Sequence, residues 1–529
     1  MIKDLNIGGG GSNPSNFTQL GKLTFFIAFD SKHGYELWVT DGTESGTEMV
    51  KDINPGMADG CRYNNSVSSK LSTIVPLGKN VYFFANDVEH GFELWCSDGT
   101  ENGTHMVKDI MSGQISASIE PTLVRAGNYL YFAANDGALG NELWRSNGTD
   151  TGTLLVKDLN PGYKSSNPQC FFVDSNMAYF AASDGSAGYG LWKTDGSDLG
   201  TVYIKNVLPT PTAFDSVPYI KYKGQIYFNG YDLDNGAELW KTDGTTSGTI
   251  IIKDINTDKE GSTPCLFTLF KDEIIFVAKT SKCGYELWQT DGTVTGTSML
   301  KDIYPGKQGS NPQSLTVLND KLYFIANDSI HGPNLWVTDL SDTGTHLLLN
   351  DSNPVPLTFN QASQNLFLSR NRLYFNASTG TSGFELWTTD GTSAGTRMLR
   401  DLCPGMCSSN PVNFYSSDTT ILFSASDDEH GRELWKSVAD STLLQEINEP
   451  GRRDVRIDPL RKELMVLSRT GNDIAYIKVF DLGGHELLTQ DIKKPIPISI
   501  DSFEGGIYYI RAYDKFDRMI AFTRFVKEW

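Results

Sequence analysis

The sequence is short of positive charge. Lys and Arg total 45 against 64 Asp and Glu, a formal net charge of −19. A nucleic-acid binder needs a basic face to displace phosphate counterions, so that class is excluded, as is docking on anionic lipid. No apolar run approaches the roughly 18 residues of a spanning helix, and membrane insertion is not expected. The start, Met1-Ile2-Lys3-Asp4-Leu5-Asn6, has no apolar core of a secretory leader. These two readings lead us to expect a cytoplasmic protein, or one exported by a route that needs no signal peptide. Cysteine is scarce and odd in number, with seven residues. That is no disulfide framework. Cys403 and Cys407 read as two free thiols in a loop, because no second pair completes a zinc site. No window holds a sustained 3.6-residue period, so almost no helix is expected.

What the chain has is glycine, 51 residues, and 11% aromatics. Both are arranged in a repeat. Glu36-Leu37-Trp38-Val39-Thr40-Asp41-Gly42-Thr43 returns as Glu93-Leu94-Trp95-Cys96-Ser97-Asp98-Gly99-Thr100. It returns again around Trp144, Trp192, Trp240, Trp288, Trp336, Trp387 and Trp435. The tryptophan spacings are 57, 49, 48, 48, 48, 48, 51 and 48, and nine of the ten tryptophans occupy this position. One copy holds four short strand-like runs divided by turn residues: 315–318, 321–326, 334–338 and 346–349. Four antiparallel strands about every 48 residues is the pattern of a propeller blade. Leu37 and Trp38 are adjacent in a strand and must point to opposite faces. Both are large and apolar, which fits a sheet covered on both sides.

Residues 450–529 lack the Leu-Trp pair but keep a strand rhythm, and read as two degenerate blades after nine repeats in 1–449. The expected fold is therefore all-β: a β-propeller of about eleven four-stranded blades in one closed ring. Residues 1–6 match the fourth-strand pattern Val50-Lys51-Asp52-Ile53-Asn54 and are expected to complete the last blade. Two interleaved smaller propellers are the alternative. The octapeptide resembles that of the bacterial ELWxxDGT-repeat proteins, a family of expected β-propellers, strongly over 1–449 and only by rhythm beyond. The resemblance implies a binding protein without an assigned reaction.

The candidate site residues are few. Asp-x-x-His recurs with His33, His90, His331 and His430, in loops expected on one face. Equivalent positions in different blades lie far apart, so a turn-forming Asp with a loop histidine outweighs metal or acid–base work. Arg452 and Arg453 mark a specialised segment that could meet an acidic partner. The tryptophans are structural. No catalytic residue is assigned, no nucleophile elbow or phosphate loop occurs, and no metal site is expected. Calcium on the repeated Asp of the Asp-Gly-Thr turn is a lesser alternative, since each loop offers one carboxylate. Glu, present in seven of nine copies, reads as a hydrogen-bond partner for a neighbouring loop. The leading function is a monomeric, non-enzymatic scaffold for a protein or peptide. A carbohydrate-binding or carbohydrate-active propeller is second, and would need two nearby carboxylates if it were a glycosidase.

Overall fold

The structure is a computed structural model. It describes residues 1–8, 10–64, 69–117, 122–186, 188–212, 219–349, 357–359, 365–416 and 420–438, and the strands between 454 and 527 named below. Arg452 and Arg453 lie outside the described residues. The described elements are all strands. They fall into two compact units, Met1–Ser437 and Val438–Trp529.

The first unit is a β-propeller of nine blades, each built around one Leu-Trp repeat. Blade one is the antiparallel sheet Ser15–Leu20, Leu23–Asp30, Gly34–Thr40 and Glu48–Lys51, in sequence order. Blades two, three, four, six and seven repeat it. Blades five and eight divide the first strand in two, as in Leu208–Pro209 and Tyr219–Tyr222. Blade nine has three strands of its own, Val412–Ser416, Thr420–Asp427 and Gly431–Val438.

The Leu-Trp pair works as its alternation requires. Leu37 of blade one shares a buried cluster with Trp95 of blade two, together with Phe25, Ile27, Phe83 and Ala85. Each Leu thus covers the following blade and each Trp the preceding one, and both central strands are buried on both faces. Full burial of one such side chain stabilises by about 1.5–3 kcal/mol. The ninth and first blades meet in the same way, with Leu434 and Trp38 in one cluster.

Here two expectations are corrected. There are nine blades, not eleven, and residues 1–6 pair with blade nine, not with a C-terminal blade. Ile2 N donates to Leu434 O at 2.8 Å and Lys3 bridges Leu434. The strand pairing there is this single bridge and not a continuous ladder, so sheet hydrogen bonding does not close the ring. The reason lies in residues 438–529, whose strands do not form blades. Asp454–Asp458, Glu463–Leu467 and Ile498–Ser499 make one sheet. Glu486–Asp491, Tyr476–Phe480, Gly506–Tyr513 and Met519–Lys527 make another. Tyr476–Phe480 pairs with Gly506–Tyr513, so strands that the rhythm assigns to two successive units share one sheet. Strand rhythm persists there, but no Leu-Trp pair directs sheets to stack in series.

A third correction concerns Cys403 and Cys407. They are joined in a disulfide across the loop Cys403-Pro404-Gly405-Met406-Cys407, with Cα atoms 5.2 Å apart. A Pro-Gly turn between two cysteines brings their Cα atoms within bonding range. Cys61, Cys96, Cys170, Cys265 and Cys283 are in no disulfide.

Candidate binding face

Each blade presents two loops at one end: the turn from second to third strand, and the connector from its fourth strand to the next blade. They touch. A Cβ on Gly34 would lie 2.5 Å from Ala58 O, and Gly34 has φ +74°, so only glycine suits this crossing. The connector also hydrogen-bonds the third strand, with Cys61 N donating to Tyr35 O at 2.8 Å.

The main anchor of the connector is the glutamate that begins Glu-Leu-Trp. In blade three the Glu142 carboxylate is fully buried. It accepts Leu159 N at 2.9 Å, Ser166 N at 2.8 Å and the Ser166 hydroxyl at 2.6 Å. Glu238 does the same with Ile255, Asn256 and Ser262, and Glu286 with Ile303, Tyr304 and Ser310. Glu385 takes Leu402 N and Ser409. At the junction, Glu433 accepts Leu5 N at 3.1 Å, Ser12 N at 2.9 Å and the Ser12 hydroxyl at 2.5 Å. The beginning of the chain therefore serves blade nine as both fourth strand and connector.

Burial raises the carboxyls of Glu142, Glu238, Glu286 and Glu433, and the serine hydroxyl and backbone N–H groups only partly oppose it. Glu36 is pushed up to about 9, Glu93 to about 8 and Glu286 to about 7. The two highest belong to the blades with no serine on the connector, where Gly60 and Ala117 stand 24 residues beyond the glutamate. In each of the seven blades an aspartate also follows sixteen residues after the glutamate, or, for Glu433, at Asp4 of the N-terminal segment. Asp4, Asp52, Asp109, Asp158, Asp302 and Asp401 each keep one buried Oδ1 without a hydrogen-bond partner. Where Gly190 and Asn334 replace the glutamate, Asn206 and Asn350 replace the aspartate. Sequence reasoning read the glutamate column alone. The paired loss of both acids was the signal it missed.

The histidines are held within their own turns. His33 Nδ1 lies 2.8 Å from Asp30 Oδ2, His90 2.9 Å from Asp87, His331 2.6 Å from Asp328 and His430 2.9 Å from Asp427. In each turn the aspartate also accepts the histidine backbone N–H. Hydrogen bonding to the aspartate raises His90 and His430. The structure places the four in blades one, two, seven and nine. Among the described residues no group of three or more His, Cys, Asp or Glu is arranged to hold a metal ion.

The Asp-Gly-Thr turns close the opposite end. Asp41 Oδ1 accepts both the backbone N–H and the hydroxyl of Thr43, at 2.8 and 2.6 Å. Thr40 and Thr47 share a buried hydroxyl–hydroxyl bond of 2.6 Å. The two bonds from Thr43 hold the Asp41 carboxyl below its ordinary range. A second element missed from sequence sits here. The fourth-strand lysine reaches the next blade's turn: Lys51 Nζ to Thr104 O at 2.9 Å, Lys205 to Thr249 at 2.7 Å and Lys253 to Thr297 at 2.6 Å. Lys3 to Thr47, at 2.7 Å, continues the series across the junction. The nine repeat tryptophans lie in the sheets. Trp38, Trp95, Trp144, Trp192, Trp240, Trp288, Trp336 and Trp387 are buried. Trp435 donates Nε1–H to Ala425 O at 2.9 Å.

No model of a known protein family matches the chain, and no curated protein matches it in sequence. Among solved structures it is similar to PorZ, described as an essential bacterial surface component of the type-IX secretion system of Porphyromonas gingivalis. That match has 11% identity and a TM-score of 0.35, covering 96% of this chain and 74% of PorZ. It is also similar to a puromycin hydrolase, with 12% identity and a TM-score of 0.38, over 80% of this chain and 60% of the hydrolase. A third likeness is to a prolyl endopeptidase, with 10% identity and a TM-score of 0.37, over 74% of this chain and 54% of that one.

Proposed function

We propose that the chain is a non-enzymatic propeller scaffold that binds a protein or peptide through the face formed by the connectors and the second-to-third strand turns. One observation carries the reading. The recurring polar side chains in the described blades are engaged in holding loops, while the loops themselves carry exposed apolar side chains such as Met57 and Tyr163. A pull-down from native lysate tests it. Recovery of a saturable partner is expected. Failure to recover one, together with turnover of a glycan or ester library, overturns it.

The same proposal assigns the chain to the bacterial ELWxxDGT-repeat proteins, on the octapeptide. Calcium is not part of it, because Asp41 and its equivalents already accept two donors from the following Thr or Ser. The Cys403–Cys407 disulfide favours an exported protein over a cytoplasmic one, since thiols stay reduced in the cytosol. A glycan ligand is the second reading. It rests on the exposed tyrosine rings of Tyr163, Tyr203 and Tyr231, which can stack on sugars. A glycan array separates the two.

A further inference from the structure

The two ends of the blades differ in what they show to solvent. At the connector end, large apolar residues stand out on loops in seven blades, Val88 and Ile115 among them in blade two. The six most exposed are Met57, Tyr163 and Met406 after the Pro-Gly of connectors, Ile7 in the N-terminal segment, and Leu233 and Ile330 in second-to-third strand turns. Their exposure runs from 74% for Met406 to 87% for Ile7. At the opposite end, among the described residues, the turns expose only Leu199 and Val294 among large apolar side chains. Isolated exposed hydrophobics need no explanation, but a recurring set at one end of a repeat array does. Met406 is presented on a loop tied by the Cys403–Cys407 disulfide, so its tip is ordered in advance of any contact.

The same loops are acidic. The blade-nine turn carries Asp428 and Glu429, the blade-two turn Glu89, and the connector after blade five Asp258 and Glu260, all exposed. Lysines on these loops are fewer, as Lys32, Lys164, Lys259, Lys282 and Lys307, and Glu260 lies 3.4 Å from Lys279. The apolar tips are spread around the face, in seven of the nine blades, with this negative charge between them. An acidic partner is repelled there, and an uncharged apolar body would have to strip water from carboxylates without replacing it.

We infer that this face docks a basic polypeptide segment that alternates Lys or Arg with apolar side chains, its apolar groups seated on the loop tips and its cations over the acidic residues between them. The inference rests on the proposed binding function and names the partner's chemistry. The test uses the full chain, immobilised, against three synthetic peptides of equal length: Lys/Leu, Glu/Leu and Lys/Ser. Saturable binding of the Lys/Leu peptide is expected, with no binding of Glu/Leu and at least about tenfold weaker binding of Lys/Ser, a difference of about 1.4 kcal/mol. The triple variant Met57→Ser, Tyr163→Ser, Ile330→Ser changes only exposed atoms, so its melting temperature should hold while affinity for Lys/Leu falls about tenfold or more. Leu199→Ser with Val294→Ser should change neither. Equal binding of Glu/Leu, no binding of Lys/Leu, or indifference to the triple variant overturns the inference. So does binding of phosphatidylcholine vesicles in place of the peptide, which would make the face a membrane contact. A lysate partner that still binds the triple variant would sink this inference and leave the scaffold reading standing. Loss of every saturable partner would sink both.

Discussion

Blades four and seven lack the glutamate–aspartate pair of the other seven, and the difference separates what makes a blade from what ties blades together. Gly190 and Asn334 stand where the others have glutamate, with Asn206 and Asn350 in place of aspartate. Yet blade four keeps the full sheet order, with Phe180 opposite Trp192 and Trp192 opposite Tyr203. The sheet therefore needs Leu-Trp and not the acid pair. The acids act on the connector. In blade four the space beside Gly190 is filled by the Tyr203 ring, which a Cβ would approach to 2.6 Å. In blade seven Asn334 Nδ2 reaches Leu357 O at 3.3 Å, one weak bond to the connector where Glu142 makes three and Glu238 four.

If the two acids form a unit, removing them must be non-additive. Glu142→Asn strands the N–H groups of Leu159 and Ser166 and the Ser166 hydroxyl, each buried. At about 1–3 kcal/mol per unsatisfied group, with partial relief from the new amide, the loss should be roughly 3 kcal/mol. Asp158→Asn removes a like charge that works against Glu142, and loses part of the Gly162 turn. The double variant recreates the acid-free pattern of blade seven. Urea melts of the four proteins should give a coupling of at least about 0.5–1 kcal/mol. Additivity within about 0.3 kcal/mol would break the comparison and leave two unrelated substitutions.

A pH series sharpens it. Glu36 is held near 9 and Glu93 near 8, against an ordinary 4.5. A raised acid stabilises fully below its unfolded value and loses that stabilisation as pH rises through the folded one. The nine-blade unit should thus lose stability between about pH 4.5 and pH 9. Glu36→Gln should flatten the alkaline part of that slope. The exposed turn aspartates, lowered as Asp41 is, act in the opposite sense and lose their contribution only as pH falls below about 4. Thermal melts at pH 5, 7 and 9 check this, and a wild-type slope that Glu36→Gln leaves unchanged would contradict it.

Much of this was legible. Two large apolar residues in succession, Leu37 and Trp38, declare a sheet covered on both faces, and their spacing declares the blades. The N-terminal fourth strand was also legible from Lys3-Asp4-Leu5. Its partner was not, because strand rhythm in 450–529 counts as blades until pairing is seen, and pairing is non-local. The Asp-x-x-His turns were read as local, and their side chains do close on themselves. The connector anchors were harder to read, since a glutamate and a serine 24 residues apart show no local pattern. The Cys403–Cys407 bond was not read, because seven scattered cysteines form no disulfide framework and the pair was weighed only as half of a zinc site.

Blades one and two offer a smaller test, since they have the glutamate without the serine. Ala117→Ser places a hydroxyl where Ser166 and Ser262 donate to their own glutamates. A new buried, charge-assisted bond should stabilise by about 1 kcal/mol at pH 7 and lower the Glu93 carboxyl toward the serine-bearing class. Urea melts and a carboxyl titration of Glu93 read both. An unchanged Glu93 would mean that the serine is not what separates the two classes.

The smallest expected effect concerns the lysine series at the opposite end. Lys253 Nζ donates to Thr297 O from one blade to the next, half-exposed to water. Lys253→Met keeps most of the aliphatic stem and loses one charge-assisted bond, so the cost should be about 0.5–1 kcal/mol. The informative comparison is with Lys3→Met, which removes the bond from Lys3 to Thr47. Inside the array, both blades stay joined by covalent connection whatever the lysine does. At the junction no turn joins residues 1–6 to the third strand of blade nine, and the lysine bond adds to the backbone and Glu433 bonds that hold them. Lys3→Met should therefore raise amide exchange in residues 2–13 several-fold, with little change in global melting, while Lys253→Met raises exchange nowhere beyond its own turn. Equal local responses would show that the N-terminal segment is held as firmly as an internal fourth strand, and that the single bridge to Leu434 understates the junction.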